Sequence, residues 1–285
     1  MATTPNEASF IHIPGVLNFR DIGGYPVSSQ QGKEVRRGIV YRSAEPSQIT
    51  QAGREAIQKL NIAYRYDLRS EQEILRNNGG GWGARDIYAP VFRKEDYSPE
   101  AVALRFKTHK ARPEGFAEGY SEILVAGAHP DNAARPYARI LEHLATTNPK
   151  PILIHCQVGK DRTAIICALI LSLCGVSDDI VADEYSLSDI GLKSIHEELI
   201  AKLLQKEAFR EDPESVHEMV LTRRDNMLLL LRKIRADYDS VEQCVVDLGL
   251  LSWEGISNLT TNMVVDTSPT EGNVSTSQCA RGLWC

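Results

Sequence analysis

The stretch that most constrains this chain is HCQVGKDRT at 155–163, set between two apolar runs. PILI at 151–154 precedes it, a continuous apolar run of the kind shown by a parallel strand buried on both faces. AIICALILSLCG at 164–175 follows, with the length of a core helix and a closing glycine at Gly175. The chain must therefore pass from a buried strand to a buried helix through a short loop that carries a cysteine, a glycine and three charges.

That arrangement favours an anion. The loop lies at a helix N-terminus, where backbone N–H groups have no helical partner and the helix dipole is positive. Gly159 lets the backbone curl so that successive N–H groups of Gln157, Val158, Gly159 and Lys160 turn inward as a nest. Five residues separate Cys156 from Arg162, enough for the loop to circle back and set a guanidinium fork opposite the sulfur. A helix N-terminus flanked by Lys160 and Arg162 favours a thiolate. A thiolate under a bound phosphoryl group is a nucleophile in line for attack, and the rest of phosphoryl transfer needs mainly positioning and electrostatic support. The leaving oxygen needs a proton, from Asp161 or from a carboxylate on another loop. Thr163 is placed to donate a hydrogen bond to the sulfur and ease its departure. A cysteine after a strand is usually a small core hydrophobe, but that reading leaves the glycine, the five-residue gap and the Arg-Thr helix start unexplained. An aspartate just before a helix is commonly only a cap, which is the competing reading of Asp161.

Bulk properties narrow the remaining classes. The 285 residues are 42% hydrophobic and 25% charged, with a formal net charge of -6. That balance suits a folded globular chain and opposes broad nucleic-acid binding, which needs clustered cations. MATTPNEASF lacks the basic and apolar pattern of a secretory leader, and no run reaches the roughly 18 apolar residues of a membrane span. The six cysteines follow no framework spacing, so a reducing cytoplasm is expected. HEELI at 196 and HEMVL at 217 do not complete a zinc-binding helix motif. No metal or cofactor is expected.

Along the chain, the first 45 residues are short apolar pieces broken by Gly and Pro, which predicts short strands and turns. SQITQAGREAIQKLN reads as a helix capped by Ser47 or Thr50. IAYRYDLRS reads as a strand ending in a charged loop, with Glu71 and Glu73 suiting the helix start that follows. NNGGGWGA is a turn and a weak match to a dinucleotide fingerprint without the strand that fingerprint needs. Residues 93–130 are read as a surface excursion or lid, RPYARILEHLAT as a helix, and everything after the motif as helices to about residue 265. The polar stretch from 266 to 285 is read as a disordered tail.

HCxxGKDRT resembles the loop of the cysteine-dependent protein tyrosine phosphatases, and its GKDRT ending is similar to their atypical bacterial and fungal tyrosine/serine branch. NFRDIGGY, YRSA with its threonine-led helix, YDLRS and DDIVADEY match that branch in order, over roughly residues 10 to 260. The resemblance implies an α/β fold in which a central, mostly parallel sheet is flanked by helices, with a helical C-terminal half and one domain over 1–265. It implies Cys156 as nucleophile, Arg162 as phosphate clamp, the intervening residues as cradle, and Asp161 as the acid within the loop. Asp67 is the second candidate for the acid, against an ion pair with Arg69, Arg42 or Arg20. His155 and Arg69 are expected to support the site rather than react. Arg20, Arg42 and Arg69 each follow or end a strand-like piece and either rim the pocket or are solvated at the surface. Lys160 is similar to a loop lysine of phosphoinositide phosphatases, which keeps lipid substrates open, while Val158 stands where the branch often has alanine. Phosphorylated protein, phosphotyrosine first, is the expected substrate. A silent phosphate-binding relative is the main alternative, and sulfur or arsenate chemistry is a weaker one.

Overall fold

A computed structural model describes residues 10–76, 83–93, 113–205, 207–210 and 212–267. The Gly- and Pro-broken N-terminus forms short strands, β1 (Arg20–Asp21), β2 (Lys33–Val35) and β3 (Val40–Ser43). β4 (Tyr64–Asp67), β5 (Arg85–Tyr88), β6 (Ile152–His155) and β7 (Val264–Asp266) follow. Five of them make one sheet in the order β1-β3-β6-β4-β5, in which only β1 is antiparallel to its neighbour. The ILIH run is thus the middle strand, buried at all four positions, as an uninterrupted apolar strand requires. Side chains alternate across it. Ile152 and Ile154 join the main core, and Leu153 packs with Phe19, Tyr41 and Ile57 on the other face.

Register places the strand ends together. Ser43 and Asp67 both lie opposite His155, so the chain leaves β6 at Cys156 over the carboxyl edge of a parallel sheet. Open α/β sheets bind their ligands at that edge. The helix Asp161–Leu173 then runs through the core with every residue from Arg162 to Leu173 buried, which explains why it shows no polar face. It is walled by the helices Pro113–Ala128, Asp178–Leu192 and Val241–Asp247. Ile165, Ile166, Leu169 and Leu171 are each at most 1% exposed, and burying side chains of this size contributes about 1.5–3 kcal/mol each.

The helical reading of the C-terminal half agrees with the structure, and caps mark several starts. Thr50, Asp212, Ser240 and Ser252 each accept the N–H three residues on. Two expectations change. Part of the segment read as a lid, Pro113–Ala128, is a core helix with Tyr120 and Leu124 buried; residues 94–112 lie outside the described residues. The ordered chain also runs past 265, because β7 pairs antiparallel with β2 through Asp266 opposite Lys33; the expected tail at 268–285 lies outside the described residues, as do 77–82 of the glycine-rich turn.

Candidate active site

The loop from Cys156 to Arg162 is turned inside out by what holds it. Its carbonyls from Gln157 to Lys160 are each occupied from outside: Gln157 O accepts the Glu45 N–H at 3.2 Å. Val158 O and Gly159 O accept the Asn18 amide at 3.1 and 3.2 Å. Arg42 Nη2 donates to Gly159 O at 2.7 Å and to Lys160 O at 3.4 Å. Among the described residues, the N–H groups of Gln157 through Lys160 donate to no protein acceptor. With carbonyls pulled outward, the peptide dipoles present their positive ends to the other side, which is what an anion nest requires. Gly159 has a left-handed φ of 67°, and a Cβ there would lie 2.1 Å from Ser43 O. No side chain fits that crossing of β3 under the loop.

Behind the loop lies a buried charged network. Glu184 accepts from Arg20 Nε at 2.8 Å and from Arg42 Nη1 at 2.6 Å, and both guanidiniums are 0% exposed. Arg20 also donates to Asn18 Oδ1 at 2.5 Å and Ser188 Oγ at 2.9 Å. Burial alone disfavours the Glu184 carboxylate, but the two guanidiniums outweigh it and hold the group below its ordinary value. Arg20 and Arg42 are therefore neither rim nor surface residues, contrary to the expectation from sequence. They form the floor that fixes the loop carbonyls, with Arg42 acting directly and Arg20 through Asn18.

Arg162 is held from the opposite side. Its Nη1 and Nη2 donate to the two Glu73 oxygens at 2.7 Å each, and its own carbonyl accepts the Tyr137 hydroxyl at 3.1 Å. Glu73 is itself locked, since it accepts from the Ser70 N–H and hydroxyl at 2.9 and 3.0 Å in a capping box. The plane of the guanidinium is thus set before any ligand arrives.

Asp67 lies at the end of β4 but is paired. Arg69 reaches it through Nε at 3.0 Å, Nη2 at 2.7 Å and its own N–H at 3.0 Å, and Arg69 also faces Glu45 at 3.6 Å. Burial pushes the Asp67 carboxyl up, yet His155 and Arg69 outweigh burial and keep it below its ordinary value. Burial keeps His155 itself toward the neutral form. The geometry supports the ion-pair reading of Asp67 over the acid reading. His155 is fully buried and its Nδ1–H donates to Cys156 O at 3.3 Å, a supporting contact.

Two loop side chains differ from expectation. The Lys160 ammonium donates to Met219 O at 2.5 Å and Val220 O at 3.2 Å, the end of the helix Pro213–Val220, and is 4% exposed. Its charge is committed to that helix terminus, so only its backbone joins the cradle. Thr163 Oγ1 is buried and has no hydrogen-bond partner among the described residues, the Cys156 sulfur included. Cys156 itself is 1% exposed at the base of the loop. Asp161 is the first helical residue, one past the N-cap position, which Lys160 holds; its Oδ1 accepts the Tyr120 hydroxyl at 2.6 Å.

The sequence profile of the tyrosine phosphatase family matches residues 11–265. The chain belongs to this family. Among its relatives, it is 26% identical over 275 residues to the triple specificity protein phosphatase PtpB of Mycobacterium tuberculosis, covering 88% of this chain and 95% of that protein. It is 27% identical over 147 residues to a tyrosine-protein phosphatase of Nostoc commune, covering 52% of this chain and 47% of that protein. The mostly parallel central sheet flanked by helices and the helical C-terminal half are those the resemblance implied. Asn18, Tyr120, Glu184 and Ser188 carry the site's support and were not singled out from sequence, and Glu73 was read there only as a helix-start acid. Asn18 and Glu184 do sit inside NFRDIGGY and DDIVADEY, two of the segments that carried the resemblance.

Proposed function

We propose that the chain hydrolyses phosphate monoesters through a covalent phosphocysteine on Cys156, with phosphotyrosine as the leading substrate. The observation that carries this reading is the inverted loop. With the carbonyls of Gln157 to Lys160 tied outward by Glu45, Asn18 and Arg42, the N–H groups that share those peptides, Val158 to Asp161, turn to the other side of the loop beside a cysteine. In the first step the Cys156 sulfur attacks phosphorus, the bond to the leaving oxygen breaks, and Asp161 gives that oxygen its proton. Arg162 and the cradle N–H groups stabilise the equatorial oxygens. In the second step water attacks phosphorus, Asp161 takes its proton, and the P–S bond breaks with Thr163 donating to the departing sulfur. Thr163's uncommitted buried hydroxyl suits it to that role.

A relative that bears the name of a triple specificity protein phosphatase supports a range beyond phosphotyrosine, and phosphoserine, phosphothreonine and phosphoinositides are the further substrates this reading includes. No helix among the described residues is long and apolar enough to cross a membrane. The described cysteines Cys156, Cys167, Cys174 and Cys244 are unpaired, which suits a cytoplasmic location.

The test is phosphate release from a phosphotyrosine peptide and from a phosphoinositide, with a chelator present, for the wild type and Cys156→Ser. Chelator-resistant release from the wild type, abolished in the variant with substrate binding retained, is the expected result. Turnover by Cys156→Ser overturns the reading, and binding without release from the wild type assigns the chain to silent phosphate binding.

A further inference from the structure

Resting on the reading of Asp161 as the loop acid, we infer that Tyr120, with Tyr185 behind it, is the positioning residue that makes Asp161 a directed proton donor. The three groups come from three helices. Tyr120 lies on Pro113–Ala128, Tyr185 on Asp178–Leu192, and Asp161 opens the helix that both of these flank. Tyr120 O–H donates to Asp161 Oδ1 at 2.6 Å, and the two phenol oxygens are 2.6 Å apart.

A phenol has one hydrogen. Since Tyr120 gives its own to Asp161, Tyr185 must donate to Tyr120, so the chain runs in one direction, from Tyr185 through Tyr120 to the carboxyl. Both rings are buried, at 4% and 1% exposure. Burial, with the Asp161 charge adding to it, raises the Tyr120 hydroxyl well above its ordinary value, so it remains a donor across the working range. The Lys160 ammonium is 3.8 Å from the same oxygen but is held by the Met219 and Val220 carbonyls.

Two consequences follow for the reaction. Oδ1, already an acceptor, is a poor seat for the transferable proton, which therefore rides on Oδ2. Asp161 Oδ2 has no protein partner among the described residues, and the side chain is 37% exposed, open to a substrate. As the proton departs, the growing carboxylate charge falls on an oxygen that already receives a polarised hydroxyl pair, and the same contact holds the base for the water step. Tyr120 touches neither substrate nor sulfur in this account; it acts through Asp161.

Leaving-group dependence separates this from simple core packing. An acidic phenol departs without a proton, whereas an alkoxide needs one. The experiment measures kcat/KM on a series of phosphate monoesters, from acidic aryl esters to an alkyl ester, for the full chain and for Asp161→Asn, Tyr120→Phe and Tyr185→Phe. Asp161→Asn is expected to lose activity increasingly toward the alkyl end. Tyr120→Phe is expected to follow it, with a loss of roughly tenfold or more on the alkyl ester and within about twofold on the most acidic aryl ester. A steep Asp161→Asn series beside a uniform or unchanged Tyr120→Phe series overturns the inference and leaves Asp161 as the acid. An Asp161→Asn series parallel to the wild type overturns both. If Tyr120→Phe fails to fold by thermal melting, Tyr185→Phe decides: a smaller loss confined to the alkyl end supports the inference, and a uniform loss or none overturns it.

Discussion

Glu184→Gln removes one charge and almost no volume from beneath the phosphate loop, and its cost can be reasoned from the contacts. The carboxylate is 2% exposed and accepts two charge-assisted bonds, 2.8 Å from Arg20 and 2.6 Å from Arg42, whose side chains are 0% exposed. Glutamine keeps one acceptor oxygen but turns an NH2 toward a guanidinium and leaves two buried cations without a counter-charge. Breaking a buried pair in this way costs about 3–5 kcal/mol, which in a domain of this size lowers Tm by roughly 6–20 °C. The pH dependence has a definite sign. Glu184 sits below its ordinary carboxylate value in the folded state, so its contribution is complete above about pH 4.3, the unfolded value, and is lost as pH falls through the lower folded value. The deficit of the variant is therefore full at neutral pH and shrinks in acid. Melting of wild type and variant from neutral to acid pH, read by circular dichroism, measures it. Equal Tm values at neutral pH would refute the claim that this network supports the loop.

Gly159→Ala places a methyl into the Ser43 carbonyl and forces a left-handed φ, so kcat/KM should fall at least tenfold even if the protein folds; activity within twofold of wild type contradicts the crossing at β3. Asp67→Asn should lower Tm by about 2–4 °C per kcal/mol lost from the Arg69 pair while leaving the leaving-group series parallel to wild type; an alkyl-selective loss would restore Asp67 as the acid.

The parts legible in sequence were those written locally. The apolar ILIH run and the all-apolar helix after it declared a strand and a helix, and the loop between them carried cysteine, glycine and arginine at fixed spacing. Whether Arg20 and Arg42 rimmed a pocket or lay beneath it was not legible, because their partner Glu184 is 164 and 142 positions away and arginine is seldom fully buried. Lys160 and Asp161 are adjacent in sequence, yet their side chains answer to different elements. The first is taken by the end of Pro213–Val220 and the second by Tyr120, and no local pattern announces either. Glu73 read correctly as a helix-start acid, but its second role on Arg162 depends on how the helix after β4 docks beside the loop. The strand pairing of β2 with β7 was missed for the same reason, since three polar and apolar residues near a polar tail become a strand only when a partner edge is present.

The central claim is that Cys156 carries the phosphoryl group in transit, and trapping it is the most direct test. Wild-type protein mixed with a radiolabelled aryl phosphate, quenched within one turnover and digested, should yield label on the peptide containing Cys156 and nowhere else, with an initial burst of leaving group no larger than the enzyme concentration. Undiminished turnover with no label on that peptide, or label on another residue, would contradict the account.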